Sequence, residues 1–587
     1  MVYETSYDTR LKPFNHDKTR GKWSTPSDFL FACLGHAFKV DAIFVLPAML
    51  FYDLGIYSLI PYLITLVVCI VPIVFMQTFL GQFSSTGFIS VFRISPIFKG
   101  IGYVSLIINL VCLTYYAILG AIPLFFFFHT LTPTIPWSCE GSKSWMIINE
   151  NSTSICTYNS NTSYSRLTTL EIPSVEFFNM ELETARMYHN TPPEGRFSWF
   201  LMICSFLIWV SVAKVAINPI ESIGKILRYS CTTVLSIMGL CLLRFIFLPG
   251  ALDTFKYAFK PEFSIGKSLF VVPFLAFSAL GPGWGSVLTM ASYNKFDTNI
   301  FRYSWLLCLS QAGILTGLAF LSIFMMSFIA KYDPYNIGYN FIHSQWMELL
   351  TIPTGLTYLE LPHVWSLLFF SMIILGVLNL LIVQLLSVLS SVFDEFEILR
   401  GYKKEFTLAT IVFMALTSIL FCSNHGITFA EGLMQISVLS QMILNLLLLI
   451  VIVWIYGRER FQRDVSFMTN QMYSTWMINI LRYVAPLFIA LVFLLALAYV
   501  FIYEVHVGNW AMILLLTAIA TLPWTFLPGY CIFKTLQTRG LLVRRLKRSV
   551  RPTDWYPVDP VDRRIYEERF NETQAASHNL FTEITTE

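Results

Sequence analysis

The sequence predicts an all-α membrane protein of about twelve transmembrane helices. Three observations carry the prediction. The 587 residues are 56% hydrophobic and only 13% charged, with a mean hydropathy of +0.63. A soluble chain of this size could not hide so much apolar surface. Apolar stretches long enough to cross a bilayer recur along the whole chain, and Lys and Arg gather in every second loop between them. Two of the stretches are broken by Gly and Pro.

Residues 1–22 form a polar tail with Arg10, Lys12, Lys18, Arg20 and Lys22, and no cleavable signal peptide is visible. The first span, residues 28–50, holds Gly35, His36, Lys39 and Asp41, with Pro47 following. A lysine at mid-bilayer depth costs at least ~2.5–3.5 kcal/mol on insertion scales. Gly and Pro inside a span invite a helix break, tolerated where the backbone is buried in protein or lines a cavity. The span is therefore either a poor one or the functional centre.

Spans two and three are placed at 57–80 and 101–128, joined by a link with Arg93 and Lys99. Residues 129–196 are polar and hold Cys139, Cys156 and the sequons at Asn151 and Asn161. Glycans and a disulfide belong to an oxidising compartment, so this loop is expected outside the cell. Further spans fall at 197–213, 227–248, 268–290, 303–330, 363–392, 406–422, 427–456, 480–503 and 509–535. An even number puts both termini on one side. Loops on that side carry Lys214, Lys225, Arg228, Lys295, Arg302, Arg400, Lys403, Arg458 and Arg460, among others. The positive-inside rule makes that side cytoplasmic.

Span six contains Phe277-Ser-Ala-Leu-Gly-Pro-Gly-Trp-Gly285, which cannot remain a regular helix. Spans one and six are thus both interrupted. Such a matched pair in two halves points to a transporter site at the membrane midplane; a pair of kinked but ordinary spans is the alternative.

The residues carrying a family resemblance then fall in order. They are Arg20-Gly-Lys-Trp23 with Asp28-Phe29, Ile60-Pro-Tyr62, Phe79-Leu-Gly-Gln-Phe83, Ser95 to Tyr103, Pro136-Trp137, Ser292-Tyr-Asn-Lys-Phe296, Asp394-Glu-Phe396 and Trp454-Ile-Tyr-Gly457. From about Arg20 to Arg539 the sequence resembles the neurotransmitter:sodium symporter (solute carrier 6) family. The resemblance implies a LeuT-like, five-plus-five inverted repeat with broken helices one and six and two extra C-terminal helices. It implies a tail at 1–22, a transporter domain at 23–538 with 129–196 as its second extracellular loop, and a cytoplasmic tail at 539–587. It also implies plasma-membrane location, a Cys139–Cys156 disulfide, and glycans at Asn151 and Asn161.

Carried over position by position, the resemblance implies substrate contacts from Gly35, His36, Lys39, Tyr116, Ser278 and Gly281. Arg20, Trp23, Tyr293 and Asp394 match its cytoplasmic gate; two solvated loop charges would otherwise contribute little. Sodium and chloride are implied as co-transported ions, with no cofactor. The ion positions depart from the pattern. The first-span asparagine falls on Ala42, with Gly35 contributing backbone only. The span-seven asparagine becomes Gln311 and the chloride serine Leu315. The span-eight aspartate becomes Asn379 and the next serine Leu380. The outer-gate pair falls on Val45 and Leu433, while Tyr62 is kept. A hard cation needs a shell of oxygens, which Ala42 and Leu380 offer only through backbone. Lys39 places a cation where cation ligands vanish.

The expected function is secondary-active transport of a small amino acid or amine-like solute, with weakened sodium and chloride coupling. The alternative is a non-transporting member acting as a substrate sensor or accessory subunit. No nucleotide loop, metal spacing or nucleophile–base set supports an enzyme. The basic residues track loops rather than a nucleic-acid surface. Partners are a solute and membrane lipid, with a homo-oligomer or accessory subunit left open. Gln77, Gln311, Gln384, Gln441 and Asn445 read as interhelical hydrogen bonds. Arg544–Arg548 reads as a juxtamembrane signal able to touch anionic lipid, and the acidic end of the chain as disordered.

Overall fold

The computed structural model describes residues 14–17, 19–38, 59–145, 152–154, 156, 169–182, 197–252, 276–277, 285–330, 347–503, 510–538 and 541–569. Helix α1 spans Pro26–Leu34 and tightens into a 3₁₀ turn at Gly35–Phe38. Then come α2 (Leu59–Ser84), α3 (Gly100–Thr130), α4 (Trp199–Ala216) and α5 (Ile220–Phe245). A short α6 covers Ser286–Ala291, and α7 covers Ile300–Ala330. Helices α8 (Pro362–Glu395), α9 (Lys403–Ser418) and α10 (Asn424–Leu449) follow. The chain ends with α11 (Ala485–Tyr503), α12 (Phe526–Gln537) and α13 (Leu542–Val550).

Among the described residues ten helices are long and apolar enough to cross a membrane. They correspond to the expected spans two to five and seven to twelve. The two other expected spans are described only in part, and their described residues include α1 and α6. The architecture is that of an all-α membrane protein. The described strands are the three-residue pair Ser152–Ser154 and Thr169–Glu171, which runs parallel inside the long polar loop. A loop helix, Pro173–Glu181, follows them.

Helix irregularities have local causes. Helix α2 widens to a π-turn at Leu66–Ile70, next to Pro72. Proline has no N–H to donate, so the preceding turn must rearrange its carbonyls. Helix α2 then ends at Ser85 in the left-handed region, φ 48°. Gly285, at φ +84°, starts α6; a Cβ there would also lie 2.4 Å from the Phe88 Cβ. At Gly81 a Cβ would sit 1.9 Å from the Leu288 carbonyl oxygen. Both glycines let α2, α6 and the following loop touch through backbone.

Helices α3 and α8 pack along each other, with α4, α5, α6 and α10 against them; α2 packs on α6 and α7, and α1 on α5 and α7. Helices α4, α5, α9, α11 and α12 turn large apolar side chains outward, among them Phe206, Leu243, Leu416, Leu487 and Leu536. Outward apolar faces suit lipid, where helix association rests on close packing and interhelical hydrogen bonds rather than on the hydrophobic effect. Those bonds are present at the expected residues. Gln77 donates to Asn445 at 3.1 Å, Gln384 to Asn109 at 3.1 Å and Gln441 to the Phe277 carbonyl at 3.2 Å. Each contributes on the order of 0.6 kcal/mol in a membrane.

One end of the bundle gathers the basic loops and both tails. Lys403 pairs with Asp17 at 2.6 Å, and Arg93 donates to the Asp554 carbonyl at 2.9 Å. The long polar loop sits at the other end. There Cys139 and Cys156 form the expected disulfide, and Trp137 donates to the Pro353 carbonyl at 3.1 Å. Asn151 and Asn161 lie outside the described residues.

The acidic end of the chain, expected to be disordered, is folded against the bundle in its described part, up to residue 569. Trp555 and Tyr566 are buried, and both rings lie against Phe83 of α2. Two large aromatic rings supply the apolar burial that the surrounding polar composition concealed.

Candidate functional site

The residues expected at the cytoplasmic end of the transport path come together. Arg20 lies in the loop before α1 and Asp394 in the last turn of α8. Their side chains form an ion pair at 2.8 Å, only 6% and 1% exposed. A carboxylate this buried must have partners, because desolvation costs several kcal/mol per ion. Asp394 also accepts from the Gly87 N–H at 2.7 Å. Arg20 donates to the Ser85 carbonyl and the Ser292 hydroxyl, each at 2.5 Å. Its guanidinium stacks over the Tyr293 ring at 4.5 Å. Burial alone would lower the Arg20 pKa; Asp394 and Tyr293 outweigh it and hold the group above its ordinary value.

Trp23 closes the same layer. Its backbone N–H donates to the Tyr293 carbonyl and its indole N–H to the Met290 carbonyl, both at 2.9 Å. The Trp23 and Tyr293 rings lie 5.4 Å apart, and the Tyr293 hydroxyl bonds to Ser390 on α8. The assembly joins the N-terminal loop, the end of α6 and the end of α8 through one buried cation.

Beside it lie contacts the sequence reading missed. Asp28, fully buried on α1, pairs with Arg228 of α5 and accepts from the Thr25 N–H at 2.9 Å. Thr25-x-x-Asp28 is a capping-box pattern and was a legible signal for the start of α1. Further out, Arg93 stacks on Phe14 at 3.7 Å, and burial brings its pKa down to about 10. His16 is pushed down to about 3, by burial first and then by Arg20 and Arg93. Asp464, at the end of the segment that continues α10, accepts from Tyr456, Tyr566 at 2.9 Å and Trp555 at 3.3 Å. It thereby fixes the C-terminal segment to the bundle.

The expected solute and ion positions are placed in part. Gly35 and His36 end α1 and are buried. Gly35 backs onto α8, where an added Cβ would lie 3.3 Å from the Asn379 carbonyl oxygen. Gln311 of α7 is buried, with its amide nitrogen 3.5 Å from the Cys33 carbonyl oxygen on α1. Tyr116 is fully buried on α3, its ring 4.6 Å from that of Tyr115. Lys39, Ala42, Ser278 and Gly281 lie outside the described residues.

The expected ion positions on α7 and α8 lie among the described residues. Leu315, at the expected chloride position, and Leu380, at an expected sodium position, are buried apolar side chains. Gln311 directs its amide nitrogen, a donor, toward the Cys33 carbonyl. Asn379 stands where the resemblance expects an aspartate, and its side-chain nitrogen is buried with no hydrogen bond among the described residues. The Gln311 Oε1 is buried with no hydrogen bond among the described residues; a hard cation selects oxygen and negative charge, and these side chains carry no negative charge.

A family model described as the sodium:neurotransmitter symporter family matches residues 20–538. The chain is 26% identical over 570 residues to a sodium- and chloride-dependent glycine transporter 1 of Xenopus laevis, covering 92% of this chain and 88% of that protein. A sodium- and chloride-dependent glycine transporter 2 from the same organism is 27% identical, over 92% of this chain and 73% of its own length. A sodium-dependent acetylcholine transporter of Caenorhabditis elegans is 26% identical, over 94% of this chain and 81% of its own.

Proposed function

This chain belongs to the sodium:neurotransmitter symporter family, and we propose that it is a secondary-active transporter of a small amino acid or amine-like solute. Its coupling to sodium and chloride is weakened or lost. The solute binds near the breaks in spans one and six, with Gly35, His36, Lys39, Tyr116, Ser278 and Gly281 around it. The Lys39 ammonium takes the role of a built-in cation, neutralising a solute carboxylate where the usual ligands are replaced at Ala42, Gln311 and Asn379. Both termini are cytoplasmic, and the disulfide loop with Asn151 and Asn161 faces outward at the plasma membrane.

The observation that carries the reading is the Arg20–Asp394 pair under Trp23 and Tyr293. A buried ion pair at the mouth of a broken-helix path is a gate: closed, it seals one side, and its rupture opens that side. A closure without traffic behind it would have no need of a charge pair costly to bury. The relatives are named as transporters of glycine and acetylcholine, which supports a small solute class.

Buried Leu315, Leu380 and Leu433 also favour a second reading, a non-transporting sensor or accessory subunit. A flux screen with amino acids and amines in proteoliposomes separates the two. Saturable uptake supports the transporter; no uptake of any solute by correctly folded protein supports the sensor.

A further inference from the structure

Helix α13, Leu542–Val550, is short and strongly two-sided. At 100° per residue, Leu542, Val543, Leu546 and Val550 share one arc. Arg544, Arg545, Lys547 and Arg548 occupy the opposite arc. The helix is held by the boundary between these arcs. Ser549 is buried, with its hydroxyl 3.3 Å from that of Thr538 at the end of α12. Ser95 donates to the Val550 carbonyl at 3.0 Å, and the Thr553 N–H donates to the Arg93 carbonyl at 2.9 Å. The helix is therefore pinned to the membrane-proximal end of α12 and to the loop that precedes α3.

Pinned this way, it leaves Leu542 and Val543 of its apolar arc exposed, with Leu546 and Val550 half-buried. Leu542 is 66% and Val543 64% exposed. On α12, in its last two turns, Phe533 and Leu536 are likewise exposed, Leu536 at 71%. An apolar face on a span is explained by lipid. The face on α13 continues it where the chain leaves the span, and a basic face lies beside it with Arg544 and Lys547 exposed. Apolar residues on one side and cations on the other describe a helix that lies in the plane of a membrane surface.

We propose that α13 is an interfacial helix that binds anionic phospholipid in the leaflet on the side of the chain termini. Leu542, Val543 and Leu546 enter the boundary of the acyl chains, and Arg544 and Lys547 reach headgroup phosphates by extending their long side chains. Because α13 is bonded to the Arg93 loop, lipid bound there also steadies the end of the molecule that holds the Arg20–Asp394 pair. The inference needs only a membrane surface next to α12. It does not rest on the solute, the ions or the direction of insertion.

Amide hydrogen exchange on the full chain tests it, in nanodiscs of phosphatidylcholine alone and of phosphatidylcholine with phosphatidylserine. Each cation near an anionic surface strengthens binding about fivefold, so exchange across 541–550 should slow by about tenfold or more with phosphatidylserine. The variant Arg544→Gln/Lys547→Gln should lose most of that difference, and Leu542→Gln/Val543→Gln should exchange fast in both discs. Exchange around Asp464 serves as the folding control and should not change. Equal exchange in the two lipids, or equal slowing by inorganic phosphate in phosphatidylcholine discs, would overturn the proposal.

Discussion

Arg20 and Asp394 lie 374 positions apart in sequence and 2.8 Å apart in space, and neither side chain is more than 6% exposed. Removing one partner leaves the other charge buried alone, which costs about 3–5 kcal/mol. Arg20→Ala and Asp394→Asn should each shift the protein toward a form open at this end. Cys33, fully buried on α1 behind the closure, reports the shift. Its labelling by a membrane-impermeant thiol reagent added from the side of the termini should rise in both variants. Unchanged labelling would remove the pair from any gating role.

Tyr293 contributes in two ways, through its ring under Arg20 and its hydroxyl on Ser390. Tyr293→Phe keeps the ring contact and should cost about 1 kcal/mol. Tyr293→Leu loses both and should approach the Arg20→Ala phenotype in the same labelling assay.

His16 makes the tail sensitive to acid. Its folded pKa of about 3 lies below the ordinary value of 6.5. The neutral form is favoured in the folded state, so this contribution is complete above pH ~6.5 and is lost as pH falls toward 3. The loss amounts to at most about 1.4 kcal/mol per pH unit below 6.5. Asp17, held below its usual range by Lys403 and Thr19 despite burial, adds a loss only under more acid conditions, as pH falls through the carboxylate range. Proteolysis of the N-terminal tail should therefore accelerate between pH 6.5 and 5 (an interval set by the ordinary His value), and His16→Gln should flatten that response.

Asp464 is the acceptor that ties down the C-terminal segment. Asp464→Leu leaves Tyr456, Tyr566 and Trp555 without it, at a cost of about 3 kcal/mol summed over the three bonds. Limited proteolysis should then cut within 541–569 while the transmembrane core stays intact. An equally resistant tail would show that ring packing on Phe83 suffices.

Breaking the Cys139–Cys156 link, whose ends are 17 positions apart, should cost about 3 kcal/mol. Cys139→Ser/Cys156→Ser should lower the melting temperature, and reductant should lower it equally in the parent and not in the variant.

The fold was legible in the sequence because the bilayer simplifies it. Length, apolar runs and loop charge set the spans, while the interruption expected at Gly281 and Pro282 lies outside the described residues. The polar residues inside spans, such as Gln77 and Asn445, could be read as partners because lipid offers no other. Pairing at the membrane surface was harder to read. Water competes there, so nothing in the sequence tied Asp28 to Arg228, or Arg93 to Asp554, across long separations. The cluster of Arg20, Trp23, Tyr293 and Asp394 was expected through the family resemblance rather than from spacing. The C-terminal segment was misjudged because its composition is polar, while its order rests on two aromatic rings and one buried carboxylate.

The central claim is a carrier that keeps its inner closure but not its ion sites. Initial uptake into proteoliposomes, with sodium replaced by an organic cation and chloride by an organic anion in turn, tests it most directly. The account predicts saturable uptake that persists through both replacements and is abolished by Lys39→Ala and by Arg20→Ala. Uptake that collapses to background without sodium, or that survives Lys39→Ala unchanged, would contradict it.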